Sequence, residues 1–184
     1  MAPKKDNTLY YLLAAAAAVV YLNKKSIMQT ANNIVWDIKS VQRIKELHPS
    51  IQPFVIQFIN ESEKQGIQLR VTDGYRTYAE QTKLYNQGRT TPGNVVTTAK
   101  AGYSLHNFGL AVDVVPMVDG KPNYNTDKWP SIASIGKAIG FTWGGDFKSI
   151  KDKPHFEMRY KHTTAQLRNK VAAGNTTNGY VNLA

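Results

Sequence analysis

Cysteine is absent from the 184 residues. That excludes a disulfide framework and any thiolate metal site, and it leaves the redox compartment unread. Acidic residues are few, 13 Asp and Glu against 23 Lys and Arg, for a formal charge of +10, which attracts polyanions. Nucleic acid is one such partner, but the basic residues are scattered and no groove-reading motif is present, so none is expected. Bacterial walls and outer surfaces are polyanionic too, and charge alone does not choose among these. There is no internal repeat, and the glycines do not fall in a phosphate-binding spacing. The length suits one domain with a full core and short appendages, and excludes two full domains.

Long apolar runs are also missing, with one exception near the N-terminus. Lys4 and Lys5 precede Leu9-Tyr10-Tyr11-Leu12-Leu13, an alanine run and Val19-Val20-Tyr21-Leu22, closed by Lys24 and Lys25. A spanning helix needs about 20 apolar residues, about 17 at the least, so this stretch is short. Its flanking tyrosines and lysines match the interfacial anchors of a membrane segment. A cleaved signal peptide shares the basic start, but small residues should follow its apolar middle, where this chain has Tyr21-Leu22-Asn23-Lys24. Residues 1–25 are therefore expected to be a hydrophobic anchor or signal segment contacting a membrane through residues 9–22. An ordinary packed helix is the alternative, and lysines on both sides leave orientation undecided. A polar connector over 26–39 leads to the main domain, 40–162, and a short C-terminal helix and polar tail fill 163–184.

Within the domain, Ser40 is placed to cap a helix from Val41 to Leu47, and Ser50 to cap a second one. There Ile51, Phe54, Val55, Phe58 and Ile59 have the spacing of a buried face. His48 is read as a helix-end residue in contact with the dipole. Ile67, Leu69 and Val71 alternate as a half-buried strand. Thr77-x-x-Glu80 is a capping box, and Ser131 can start a helix carrying Ile132, Ile135, Ala138 and Ile139. Phe141 to Trp143 and Lys153 to Met158 form two short strands. Tyr75, Trp143 and Phe156 are assigned to the core, with a substrate platform as the alternative, and His162 to the surface.

The chemistry concentrates at Asp113, inside the apolar run Leu110-Ala111-Val112-Asp113-Val114-Val115. An unpaired carboxylate there costs several kcal/mol or takes up a proton, and no Lys or Arg lies between Lys100 and Lys121. A divalent metal would satisfy both Asp113 and His106, with His155 as third ligand. Two His and one Asp suit zinc, and three protein ligands leave the open position of a catalytic site. Water there has its pKa lowered to about 7, and Asp152 can take its proton. The plainer reading keeps a loop histidine unligated and pairs a strand aspartate with a distant arginine. Three such residues, each otherwise costly, favour the joint one.

From about Ile51 to Met158 the sequence resembles the zinc peptidases that include phage L-alanyl-D-glutamate endolysins and the vancomycin-resistance D-Ala-D-Ala peptidases, with a fold shared by the hedgehog signalling domain. The resemblance is carried by Asp73-Gly74-Tyr75-Arg76-Thr77 with Glu80-Gln81, and by Tyr85-Asn86-Gln87-Gly88-Arg89-Thr90 with Pro92-Gly93. It continues through Ser104-x-His106-x-x-Gly109-x-Ala111-x-Asp113, Gly140-Phe141-x-Trp143-Gly144-Gly145-Asp146 and Asp152-x-Pro154-His155-Phe156-Glu157. It implies an α+β domain, a small antiparallel sheet flanked by helices, and one Zn2+ on His106, Asp113 and His155. It also implies Asp152 as general base and then acid, and Arg76 on the scissile carbonyl, with Ser104 and Gln81 near the substrate. The implied activity is hydrolysis of the L-Ala-D-Glu bond of wall stem peptides, in lysis or virion penetration. The alternatives are a D,D-carboxypeptidase acting on D-Ala-D-Ala ends and a non-catalytic wall-binding module with structural zinc. Many phage relatives carry a wall-binding domain after the peptidase, where only a short stretch follows here. The apolar N-terminal segment is the expected substitute, holding a membrane-associated, exported or virion-borne peptidase towards the wall.

Overall fold

Strand β2 (Ala111–Val118) is the apolar run singled out above, and neighbours on both sides bury it. The computed structural model describes residues 38–148 and 150–184. Strand β1 (Leu69–Asp73), β2, β5 (His155–Glu157) and β4 (Thr142–Trp143) lie side by side in that order, with β3 (Lys121–Pro122) also paired to β2, and every pairing is antiparallel. Helix α1 covers residues 38–46, followed by α2 (Gln52–Lys64), α3 (Tyr78–Asn86), α4 (Trp129–Ile139) and α5 (Thr164–Ala172). The expected α+β fold, a small antiparallel sheet flanked by helices, is the one observed.

Side chains alternate across a strand, and here the alternation divides core from site. Val71, Val112, Val114 and Phe156 turn to one face and pack with Leu47, Ile51, Val55, Phe58, Trp129 and Ile132 from the helices. Burying each of the larger side chains contributes about 1.5–3 kcal/mol. Asp113, His155 and Glu157 sit on the odd positions between them. The register pairs Asp113 with His155 on β5 and with Asp73 on β1, past an irregularity between Val71 and Asp73. One row of the sheet thus presents Asp73, Asp113 and His155 together.

Several expected helix starts are corrected. Ser40 lies inside α1, not at its cap, and its buried hydroxyl accepts a hydrogen bond from Val71 N at 3.0 Å. Arg43 Nη1 donates to Val71 O at 2.9 Å. Together they satisfy outward backbone groups on the sheet's edge strand, which would otherwise be a template for pairing. Ile51, not Ser50, is the N-cap of α2, and Phe54 faces solvent while Val55, Phe58 and Ser62 are buried. Proline in the first turn, whose missing N–H costs nothing there, starts α4 at Trp129, ahead of Ser131.

The tail is more ordered than its polarity suggests. Strands β6 (Thr176–Thr177) and β7 (Tyr180–Val181) form a hairpin, and Leu167 and Val181 are buried with Leu105, Phe108, Leu110 and Ala111 in a second core. His48 belongs to this contact: its Nδ1 accepts from Ser50 N at 3.2 Å, so Nε2 carries the proton it donates to Val181 O at 2.9 Å. Among the described residues no helix is long and apolar enough to cross a membrane. The expected anchor over 1–25, with its 9–22 run, lies outside the described residues.

Candidate metal centre and active site

His106 stands in a short 3-10 turn, Leu105–Phe108, just before β2. Gly109 ends that turn with φ 67°, and a Cβ there would meet His48 N at 2.6 Å. The chain can therefore swing from the His106 turn into β2 only with glycine at this point. Gly109 O accepts from His48 N at 3.0 Å, which ties the turn to the end of α1. Ser104 caps the turn through a long 3.4 Å contact from His106 N to its hydroxyl.

Three ligand atoms converge. His106 Nε2 lies 3.1 Å from His155 Nδ1 and 3.3 Å from Asp113 Oδ1, and His155 Nδ1 lies 3.2 Å from Asp113 Oδ1. Tetrahedral ligands at zinc bond lengths of about 2.0–2.2 Å are about 3.3–3.6 Å apart. The nearly equilateral triangle therefore fits one such ion, and among the described residues this is the group of His, Asp and Glu able to hold a metal. Both imidazoles are buried.

The two histidines present different nitrogens, and hydrogen bonds behind them decide which. His106 Nδ1 donates to Gly74 O at 2.6 Å. His155 Nε2 donates to Glu157 Oε2 at 2.9 Å, and Glu157 Oε1 accepts from Arg159 Nε at 2.8 Å. Such outer partners fix the tautomer and raise ligand basicity. Glu157 carries no role in the sequence reading, although its spacing of two from His155 on a strand puts it on the same face.

Electrostatics favour positive charge where the three atoms meet. Burial works against ionisation of Asp113, but the His106 charge and hydrogen bonds from both imidazoles hold its carboxyl well below the usual carboxylate range. Burial likewise opposes the charged form of His155, yet hydrogen bonds to Asp113 and Glu157 push it up to about 9. Glu157 is held low against its burial by His155 and Arg159.

Asp152 and Arg76 approach from loops. Asp152 N donates to Gly144 O at 3.0 Å, and Trp143 Nε1 donates to Lys153 O at 2.7 Å. A Cβ on Gly144 would come within 2.4 Å of Asp152 O, so the loop lies directly on that glycine. Although residue 152 is exposed at the surface, desolvation of its carboxyl and the nearby Asp113 charge raise its pKa. Arg76 is half of an ion pair with Asp73, and its Nη1 donates to Gln81 Oε1 at 2.8 Å. Its backbone N donates to His106 O at 3.0 Å, joining the arginine loop to the His106 turn. Gln81 is fully buried, with its amide N donating to Ala99 O at 2.7 Å. Both its polar ends are spent inside the chain, one of them orienting Arg76. Phe156 is core as expected, and Trp143 is partly buried against that core. Tyr75 is corrected: it is 43% exposed. His162 is outside the cluster and contacts Leu183 O.

The profile of a family described as D-alanyl-D-alanine carboxypeptidase matches residues 97–158, a span that includes His106, Asp113, Asp152 and His155 but not Arg76. The peptidoglycan L-alanyl-D-glutamate endopeptidase CwlK of Bacillus subtilis (strain 168) is 40% identical over 124 residues, covering 61% of this chain and 74% of the relative. The L-alanyl-D-glutamate peptidase of Listeria phage A118 is 28% identical over 127 residues, covering 67% of this chain and 42% of the relative. Among solved structures, the L-Ala D-Glu endopeptidase ChiX of Serratia marcescens matches with a TM-score of 0.51 and 26% identity, over 66% of this chain and 87% of that one. Identity of this extent to a relative spanned over most of its length, with the motif residues gathered at one point of the fold, establishes that the chain belongs to the M15 peptidase family.

Proposed function

We propose that this chain is a zinc peptidase that hydrolyses peptidoglycan stem peptides between L-Ala and D-Glu. The observation that carries the reading is the triangle of His106 Nε2, Asp113 Oδ1 and His155 Nδ1, 3.1–3.3 Å on each edge. The choice of bond is supported by the activity for which the bacterial and phage relatives are named.

One zinc ion held by these three atoms would polarise the scissile carbonyl and lower the pKa of water to about 7. Asp152 takes a proton from the attacking water and returns it to the departing amino group as the C–N bond breaks. A carboxyl whose pKa is raised above the ordinary value serves both steps better than one held low. Arg76 is pre-oriented by Asp73 and Gln81 and keeps N–H groups over for an oxyanion. Gln81 and Ser104 act behind this front, one on Arg76 and the other on the His106 turn.

The family description favours a second reading, release of terminal D-alanine. Digesting purified walls with the purified chain, with and without chelator, and identifying the products by mass decides between them. The proposal expects chelator-sensitive release of peptides beginning at D-Glu. Free D-alanine as the product selects the carboxypeptidase, and an absence of both products sinks the enzyme. We further propose that residues 9–22 tether the peptidase at a membrane facing the wall. Deleting residues 1–25 should then leave a soluble, active enzyme that no longer sediments with membranes.

A further inference from the structure

Beyond the metal cluster, a groove of about 400 Å³ opens between the Tyr75 loop and the β6–β7 hairpin, its lining including Tyr75, Tyr78, Phe108, Thr176, Asn178 and Tyr180. Tyr75 and Tyr78 are 43% and 41% exposed, and neither hydroxyl makes a hydrogen bond among the described residues. The aromatic surface continues past the groove. The Tyr78 hydroxyl and the Arg168 side chain meet over Gly102, and Arg168 stacks on Tyr103 at 3.8 Å while donating to Gly102 O at 3.0 Å. Tyr103 is 56% exposed and stands just before the turn that carries His106.

We infer that this groove and ridge bind N-acetylated sugar units of the glycan strand, the polymer to which the stem peptides are attached. The inference rests on the peptidoglycan reading above. Three properties of the lining select that ligand class. Its charge is small: on a chain of +10 the groove contains one ionisable carboxylate, Glu46, and no Lys or Arg, and the ridge adds one guanidinium, Arg168, already engaged by Gly102 O and the Tyr103 ring, so it is not built for a polyanion. Its surface is mixed, with tyrosine rings beside amide and hydroxyl groups. That suits a pyranose, which has apolar C–H faces and a polar rim, better than a continuous apolar helix. Its form is also preset. Asn178 and Gly179 hold the hairpin turn at φ 51° and 83°, and the Tyr180 ring packs edge-on against His48 with centroids 5.4 Å apart, so little ordering is needed on binding.

Position gives the groove its use. Tyr75 lies between Gly74, whose carbonyl orients His106, and Arg76, so a strand bound here runs beside the loops of the active site. A weak contact repeated along a polymer raises the local concentration of its peptides.

The probe is an N-acetylglucosamine tetrasaccharide titrated into the isotopically labelled full chain and followed by backbone amide shifts. Saturable shifts confined to residues 75–78, 102–108 and 176–181 are expected. Tyr78→Ala, and Asn178→Gly, which retains the left-handed turn, should each weaken binding about three- to tenfold. The same variants should slow release from intact walls several-fold and leave turnover of a glycan-free stem peptide unchanged. No saturable shift, shifts elsewhere, or a response to the stem peptide and not to the sugar overturns the inference, as does an equal loss on both substrates. Failure of the wild type to cut the glycan-free peptide while the tetrasaccharide still binds removes the peptidase reading and leaves the sugar site standing.

Discussion

The three residues proposed to hold the metal and the two side chains proposed to react are held in different ways. Asp113 and His155 face each other across β2 and β5, so their separation is set by sheet register, and a slip of one residue in either strand would turn that strand's member of the pair to the core face. Arg76 and Asp152 are on loops, each fastened by a few hydrogen bonds to Asp73 and Gln81 or to Gly144 and Trp143. Two of the three residues proposed to hold the ion are thus built into the sheet, and the third, His106, stands on the short turn that leads into β2. The two side chains proposed to meet the substrate are attached to that frame by loops.

The sharpest test of that division sets Asp113→Ala against Asp152→Ala. Loss of Asp113 should abolish both bound metal and wall hydrolysis. Loss of Asp152 should lower turnover by about 10²- to 10⁴-fold, the usual worth of a general base, with metal content unchanged by atomic absorption. If Asp152→Ala also empties the site, Asp152 is a ligand and the two classes merge. Arg76→Ala comes next, with an expected loss of about 10²- to 10³-fold in kcat for a missing oxyanion donor. Gln81→Ala should give a smaller drop of the same kind, since it frees the guanidinium without removing it. A rise in KM alone in either variant would mean that Arg76 grips the ground state as firmly as the transition state.

A milder change separates charge from orientation at the ligands themselves. Glu157→Ala should weaken metal binding by about 10- to 100-fold, read by competition with a chromogenic chelator. Glu157→Gln still offers an oxygen to His155 Nε2 and should recover part of the loss. Equal affinity in all three proteins would show that sheet register alone orients His155.

The sequence disclosed the His106, Asp113 and His155 cluster better than it disclosed the supports of that cluster. His106, Asp113 and His155 were legible because each is a costly residue in its own surroundings, and β2 because a single apolar run contains the aspartate. The serines misled. Ser40, Ser50 and Ser131 all stand where a cap belongs by local rules, but the Ser40 hydroxyl serves Val71, 31 residues away, and prolines in the first turns of α2 and α4 set those starts. Glu157 was readable from the two-residue period of a strand, and the terminal hairpin from its Asn178-Gly179 turn. Both were hidden by polarity: Glu157 resembles any strand-end carboxylate until Arg159 and His155 are brought onto it.

The smallest expected effect tests how firmly local structure holds the arginine loop. Thr77 accepts from Glu80 N at 3.2 Å, and Glu80 Oε2 accepts from Thr77 N at 2.8 Å, a reciprocal cap one residue after Arg76. Thr77→Ala should cost about 0.5–2 kcal/mol in urea unfolding, with kcat falling far less than for Arg76→Ala, because Asp73 and Gln81 still hold the guanidinium. Hydrogen bonds from the Thr77 hydroxyl and backbone lower the Glu80 pKa from its usual 4.5. A carboxylate with a depressed folded-state pKa stabilises the fold above its unfolded value and loses that contribution as pH falls through the folded one. The stability gap between wild type and Thr77→Ala should therefore be widest at neutral pH and narrow below about pH 4.5. A gap that stays constant down to pH 3 would assign the effect to the threonine hydroxyl alone and remove Glu80 from the support of the loop.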